Sequence, residues 1–396
     1  MMREKQMSSV NHSETCYETE LNQSEQQELD QYQSQKNDIS DMSKKGYQCL
    51  KENRTSEAIE CFSQILSLDE NNNYALVGMG DAIRKQGSFR NAVQYYQRCL
   101  TYHPGNNYAL FGLADCYKAM NQYHMAIEIW EQYLIHDNKN ITVLTRVADA
   151  YRKVRDYTHS KEVYLRVMDM ENDNPYAIIG LGHLHYDFKE YREALSYWER
   201  MLARNKDSVD IRVLTSIGNC HRKLKTFKDG IKYFEMALKR ESQNFYALFG
   251  LADCYRGLRQ PGKSLEFWNA ILEHDPKNKV ILTRAGDAYR NMKDFETSSE
   301  YYQRALNIEY DPYAVLGLAI SAKTNGKFNE AIESLKRLIQ QEPRNYRLYI
   351  EYADCYIKKG EKREAIETLE AFQKMGIPNN EVNEMLAKLK NGANGK

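Results

Sequence analysis

Tyr108–Tyr117 reads YALFGLADCY, and the same ten residues return unchanged at Tyr246–Tyr255. LTRVADAYR at Leu144–Arg152 likewise returns as LTRAGDAYR at Leu282–Arg290. Both offsets are 138 residues, four units of 34 plus two, as if a block of four units had been duplicated. A shorter period runs inside each copy. A small residue recurs at Gly46, Gly80, Ala114, Ala148, Gly182, Gly218, Ala252, Gly286, Ala319 and Ala353, in steps of 33 to 36 residues. Twelve positions after each comes a second small residue: Ala58, Ala92, Ala126, Ala194, Ala331 and Ala365, with Ser160, Gly230, Ser264 and Ser298 in the remaining units. Self-similarity at a fixed period of this length marks a repeat architecture.

The residue types say what the repeat is. Two antiparallel helices approach closely only where a side chain is missing on each facing surface. Large rings stand alongside the gaps: Tyr117, Tyr151, Tyr255, Tyr289 and Tyr356 on the first helix of their units, and Phe62, Tyr96, Trp130, Tyr164, Trp198, Phe234, Trp268 and Tyr302 on the second. Pro104, Pro276 and Pro343 fall where the second helix should stop, since proline cannot continue a helix. Each unit therefore reads as a helical hairpin. Alone it leaves an apolar face wet, and stacking on its neighbours buries that face in one continuous core. The predicted class is all-α.

Composition narrows the function. Basic and acidic residues balance at 55 each, so no global field draws the chain to nucleic acid or an anionic membrane. Thirty Tyr against 7 Pro and 20 Gly suit a helical protein with well-filled contacts. The eight Cys include no C-x-x-C pair, which removes zinc-ribbon and thioredoxin-like sites. No apolar run nears the roughly 18 residues of a membrane span, and the first twenty residues lack a signal peptide's apolar core. A cytoplasmic location follows as the expectation. Residues 1–40 hold eight acids and three bases among Gln, Ser and Asn, too little apolar area to offset ordering. Residues 1–38 are predicted to be a disordered acidic tail of net charge −5, leaving the rest at +5.

The pattern resembles the tetratricopeptide repeat family, whose 34-residue unit carries small residues at positions 8 and 20 and aromatics at 11 and 24. The match runs over about ten units: 39–72, 73–106, 107–140, 141–174, 175–210, 211–244, 245–278, 279–311, 312–345 and 346–379. Departures are local. Cys49, His185 and His221 replace the usual Tyr at position 11, and two extra residues fall near Asn205–Asp210. Residues 380–391 read as a capping helix and 392–396 as disordered. The resemblance implies a right-handed superhelical solenoid of α-α hairpins, with the first helix of each unit lining a concave face and positions 2, 5, 9, 12 and 13 exposed there.

On that face the sequence places candidate peptide-binding residues in rows. Position 2 gives Tyr108 and Tyr246, position 5 gives Phe111 and Phe249, and position 6 gives Arg146 and Arg284. Position 9 supplies Asp115, Asp149, Asn219, Asp253 and Asp287; position 12 supplies Lys118, Arg152, Arg222, Arg256 and Arg290. Polar groups in register, one per unit, match the extended backbone of a bound peptide. The competing reading is local ion pairing, worth about 0.2–0.5 kcal/mol per pair along one helix. A chaperone-type carboxylate clamp is disfavoured: position 5 carries no Lys, and the Asp row repels a terminal carboxylate.

Catalytic chemistry is not indicated. There is no G-x-S-x-G, phosphate-cradling glycine loop or H-E-x-x-H. Cys116, Cys220, Cys254 and Cys355 share position 10 and read as packing residues. His183 and His185, with Cys220 and His221 nearby, form the best metal-like cluster, but alternate residues diverge by about 200° on a helix. No cofactor or metal is expected. The reading is a non-enzymatic scaffold that takes a peptide or helix of another protein in its groove. Its alternatives are an RNA-binding helical repeat, opposed by neutral charge and the Asp row, and a regulatory subunit of an enzyme on another chain. An intramolecular contact between acidic tail and basic row is a further expectation.

Overall fold

The computed structural model describes residues 36–204 and 209–391, and among them every regular element is a helix. The predicted tail up to residue 35 and the last five residues lie outside the described residues. Residues 36–38, assigned to the tail from composition, are instead part of a helix, α1, described over 36–51. No described helix is long and apolar enough to cross a membrane.

Contacts divide the chain into two compact units, one ending at Leu184 and the other beginning at His185. The first holds α1, α2 (Thr55–Leu68), α3 (Asn73–Lys85), α4 (Phe89–Tyr102), α5 (Asn107–Ala119), α6 (Tyr123–His136), α7 (Ile141–Lys153), α8 (Tyr157–Met170) and most of α9 (Pro175–Asp187). The second continues with α10 (Tyr191–Arg204), α11 (Ile211–Lys223), α12 (Phe227–Arg240), α13 (Phe245–Gly257), α14 (Pro261–His274) and α15 (Lys279–Asn291). It ends with α16 (Phe295–Leu306), α17 (Pro312–Thr324), α18 (Phe328–Gln341), α19 (Tyr346–Lys359), α20 (Lys362–Gln373) and α21 (Asn380–Asn391).

Local chemistry punctuates the hairpins. Asn72, Asn106, Asn140, Asn244 and Asn278 each accept from the backbone N–H three residues on, satisfying a donor that the first turn leaves without a helical partner. At position 15, between the two helices, the backbone turns left-handed in unit after unit: Asn53, Asn121, Arg155, Lys189, Lys225, Arg259 and Lys293 all have positive φ. The left-handed conformation costs a non-glycine residue about 1–2 kcal/mol, so the packed hairpin must hold it there.

Within each unit, consecutive helices pack as antiparallel pairs. The serines at position 20 tie pairs together: Ser160, Ser264 and Ser298 donate to the carbonyls of Ala148, Ala252 and Gly286 at 2.8, 2.7 and 2.9 Å. Rings at positions 11 and 23 of one hairpin also stack, as in Tyr255 on Phe267 with centroids 5.7 Å apart. A size rule links neighbours. Where the ring at position 24 is Phe or Tyr, position 6 of the next hairpin is Gly: a Cβ on Gly112 would meet Tyr96 at 2.4 Å, and one on Gly250 would meet Phe234 at 2.3 Å. After Trp130 and Trp268 that position is Arg146 or Arg284 instead.

Candidate functional site

Neighbouring odd-numbered helices also touch one another: α3 with α5, α11 with α13, α15 with α17, and α17 with α19. Among the described residues no pair of even-numbered helices does so to a comparable degree, so the odd helices form the crowded inner row of each unit. Every candidate residue stands on this row.

The Asp and Arg rows are spent largely on each other. In the first unit Arg84 pairs with Asp81 of its own helix at 3.0 Å, and the Tyr96 hydroxyl donates to the same carboxylate at 2.7 Å. Arg146 pairs with Asp115 of the preceding hairpin and lies over the Phe111 ring, 4.8 Å from its centroid. Arg152 pairs with Asp149 at 2.6 Å. In the second unit Arg222 reaches Asp253 of the next hairpin at 2.7 Å, Arg256 holds the same carboxylate at 2.7 Å, and Arg222 also donates to Asn219 at 3.2 Å. Arg290 repeats the first-unit arrangement with Asp287 and Tyr302. Lys323 closes the series against Glu351 and Asp354 at 2.5 and 2.6 Å.

Burial corrects the expected exposure. Asp253 is 7 % exposed and Lys323 8 %, so neither faces solvent as the family resemblance implies for positions 9 and 12. The cause is the cross-hairpin pairing, which draws both groups between helices. Burial alone would raise the Asp253 carboxyl, but Arg256 and Arg222 outweigh it and hold the group below the usual aspartate range. Asp115, with the same neighbours in sequence, goes the other way, because burial exceeds what Arg146 and Arg84 return. Phe111 and Phe249 are half-buried: Phe111 meets Tyr133 edge-on, and Phe249 meets Trp268 with centroids 5.1 Å apart. Lys118 is half-buried as well.

What stays open is the tyrosine row at position 2. Tyr74, Tyr108, Tyr176, Tyr246 and Tyr313 are all exposed, Tyr108 to 80 %. Two clefts adjoin it. One of about 960 Å³ in the first unit is lined by Tyr47, Tyr74, Val77 and Tyr108 among others. One of about 910 Å³ in the second unit lies among α13, α15, α17 and α19, with Arg284, Tyr313, Leu316 and Arg347 on its walls. Sequence reasoning missed Arg347 because it stands at the register that half of the ten units fill with tyrosine.

Among the described residues no group of three His, Cys, Asp or Glu side chains is placed to hold a metal. His185 and His221 stack on Tyr197 and Tyr233, taking over the ring contact that tyrosine makes elsewhere. The seven described cysteines are buried free thiols, and burial pushes Cys116, Cys220 and Cys254 each up to about 12.

Models of one family, described as the tetratricopeptide repeat, match residues 84–148, 281–312 and 322–389. No curated protein matches the sequence. Solved structures with a similar fold include a tetratricopeptide repeat protein from Parabacteroides merdae, 14 % identical, with TM-score 0.41 over 72 % of this chain and 98 % of that one. They also include MamA protein, 21 % identical, with TM-score 0.39 over 43 % and 92 %.

Proposed function

The chain is a tetratricopeptide repeat protein, a family whose repeats mediate protein–protein contacts, and we propose that it is a non-enzymatic scaffold taking a peptide or helix of a partner along its odd-numbered helices. One observation carries the reading: exposed tyrosines recur at the same register in five of the hairpins, on α3, α5, α9, α13 and α17. A tyrosine brings large contact area with little rotamer freedom to lose, and its hydroxyl pairs with a passing backbone. Solvation alone gives no reason to repeat an exposed ring there, since a charged residue does that better. The Asp and Arg rows on the same helices, paired largely with each other, supply rigidity.

The test compares proteins retained by wild type and by Tyr108→Ala/Tyr246→Ala, quantified by mass spectrometry. Both rings are exposed, so the hairpins should melt unchanged while specific partners are lost. Retention of the same partners at the same level would refute the groove.

A further inference from the structure

We propose that the cleft among α13, α15, α17 and α19 binds an acidic, extended segment of a partner protein, an inference that rests on the scaffold reading and names the partner's chemistry. The cleft is lined by Arg256, Lys279, Arg284, Arg290 and Arg347, against only two carboxylates, Asp287 and Asp311. Both carboxylates are occupied. Asp287 accepts from Arg290 and Tyr302, and buried Asp311 accepts from the Thr283 hydroxyl at 2.7 Å and the Tyr313 N–H at 3.0 Å. Arg284 and Arg347 form no ion pair among the described residues.

The excess charge has a traceable origin. Arg146, the duplicate of Arg284, is neutralised by Asp115. Asp253, the duplicate of Asp115, is already held by Arg222 and Arg256. Arg222 reaches over because its own hairpin offers the neutral Asn219 and Phe234 where Arg84 finds Asp81 and the Tyr96 hydroxyl. Position 9 of the next hairpin, Asp in most units, is Ile320, so no carboxylate from α17 replaces the one taken. Two substitutions relative to the repeat pattern thus leave cations exposed beside an apolar wall of Val280, Pro312, Tyr313, Leu316 and Ile320. Such a site fits carboxylate side chains alternating with aliphatic or aromatic ones. An arginine that lacks a carboxylate in the free protein gains its bidentate partner on binding without first breaking another.

The test uses the full chain and two fluorescein-labelled, C-terminally amidated ten-residue peptides, one alternating Glu with Leu and Phe, the other with Lys in place of Glu. Fluorescence anisotropy should show the Glu peptide binding, weakening as salt rises, and the Lys peptide binding at least about tenfold more weakly. Arg347→Glu, at an exposed position that leaves folding intact, and Arg284→Glu should each reduce Glu-peptide affinity about tenfold. Lys336→Glu, on α18, should not. Equal binding of the two peptides, no binding of either, or an equal loss with Lys336→Glu would overturn the inference. Partner loss in Tyr108→Ala/Tyr246→Ala would still uphold the scaffold reading in any of those cases.

Discussion

Arg222 crosses from α11 to Asp253 on α13, Nη1 to Oδ2 at 2.7 Å, whereas Arg84 stops 3.8 Å short of Asp115 and stays with Asp81 of its own helix. Two residues separate the two outcomes: Asn219 stands where the first copy has Asp81, and Phe234 stands where Tyr96 accepts from the Arg84 Nε–H and donates to Asp81. The same register position thus links successive hairpins at hydrogen-bond distance in one unit and is held mainly within its own hairpin in the other.

Neutralising the two duplicated aspartates should cost different amounts. Asp253 is held below the ordinary aspartate range, so the fold favours its charge; Asp115 is raised, so the fold disfavours its charge. Asp253→Asn should therefore destabilise by about 2 kcal/mol, the scale of hydrogen bonds to charged groups. Asp115→Asn should cost less than half of that. Urea unfolding, with amide exchange of α11 and α13 against α3 and α5, makes the comparison.

The pairing of Lys323 sets a pH window. Burial lowers the Lys323 ammonium, but Asp354 and Glu351 outweigh it and the group rises above its ordinary value. Its contribution is complete below about pH 10.4 and is lost as pH climbs through the raised folded value. Asp354 runs in mirror image. Burial raises it, Lys323 outweighs burial, and its contribution is complete above about pH 3.9 and lost as pH falls through the lowered folded value. The melting-temperature gap between wild type and Lys323→Met should be widest between these limits and narrow at both extremes.

The ring-size rule predicts an asymmetry between two alanine substitutions. Gly250→Ala drives a Cβ to 2.3 Å from Phe234 and should cost about 1–3 kcal/mol, the range for overpacking a core. Ser216→Ala, in the register position after Trp198, should fall within about 0.5 kcal/mol of wild type. Chemical denaturation of both variants checks this.

Thiol chemistry offers a probe of the core. Cys116, Cys220 and Cys254 are raised to about 12 by burial, so almost none is thiolate at pH 8. Iodoacetamide at that pH should leave all three unlabelled in the native protein and modify them fully in denaturant. Peptide mass spectrometry reads the difference.

The fold was legible because period, small residues and rings all express one constraint, the closest approach of two helices. Trp130, Trp198 and Trp268 fell on the buried face as their register required. Positions of the candidate residues were legible as well, but their surroundings were not. Asp253 in isolation looks like one rung of a solvated ladder. Its burial depends on Arg222, 31 residues earlier, which the neutral Asn219 leaves able to reach across. The left-handed turns were hidden for a different reason: Arg155, Lys225 and Lys293 carry no glycine signal, because stacking imposes the geometry. Arg347 escaped notice as one of two arginines, with Arg212, in a register that five units fill with tyrosine.

Amide hydrogen exchange of the full chain, with and without a co-purified partner, bears most directly on the claim that partners lie along the odd-numbered helices. Binding should slow exchange in α3, α5, α13 and α17, whose first turns carry Tyr74, Tyr108, Tyr246 and Tyr313. Protection confined to α4, α6, α14 and α18 would put the partner on the opposite helices and contradict the claim.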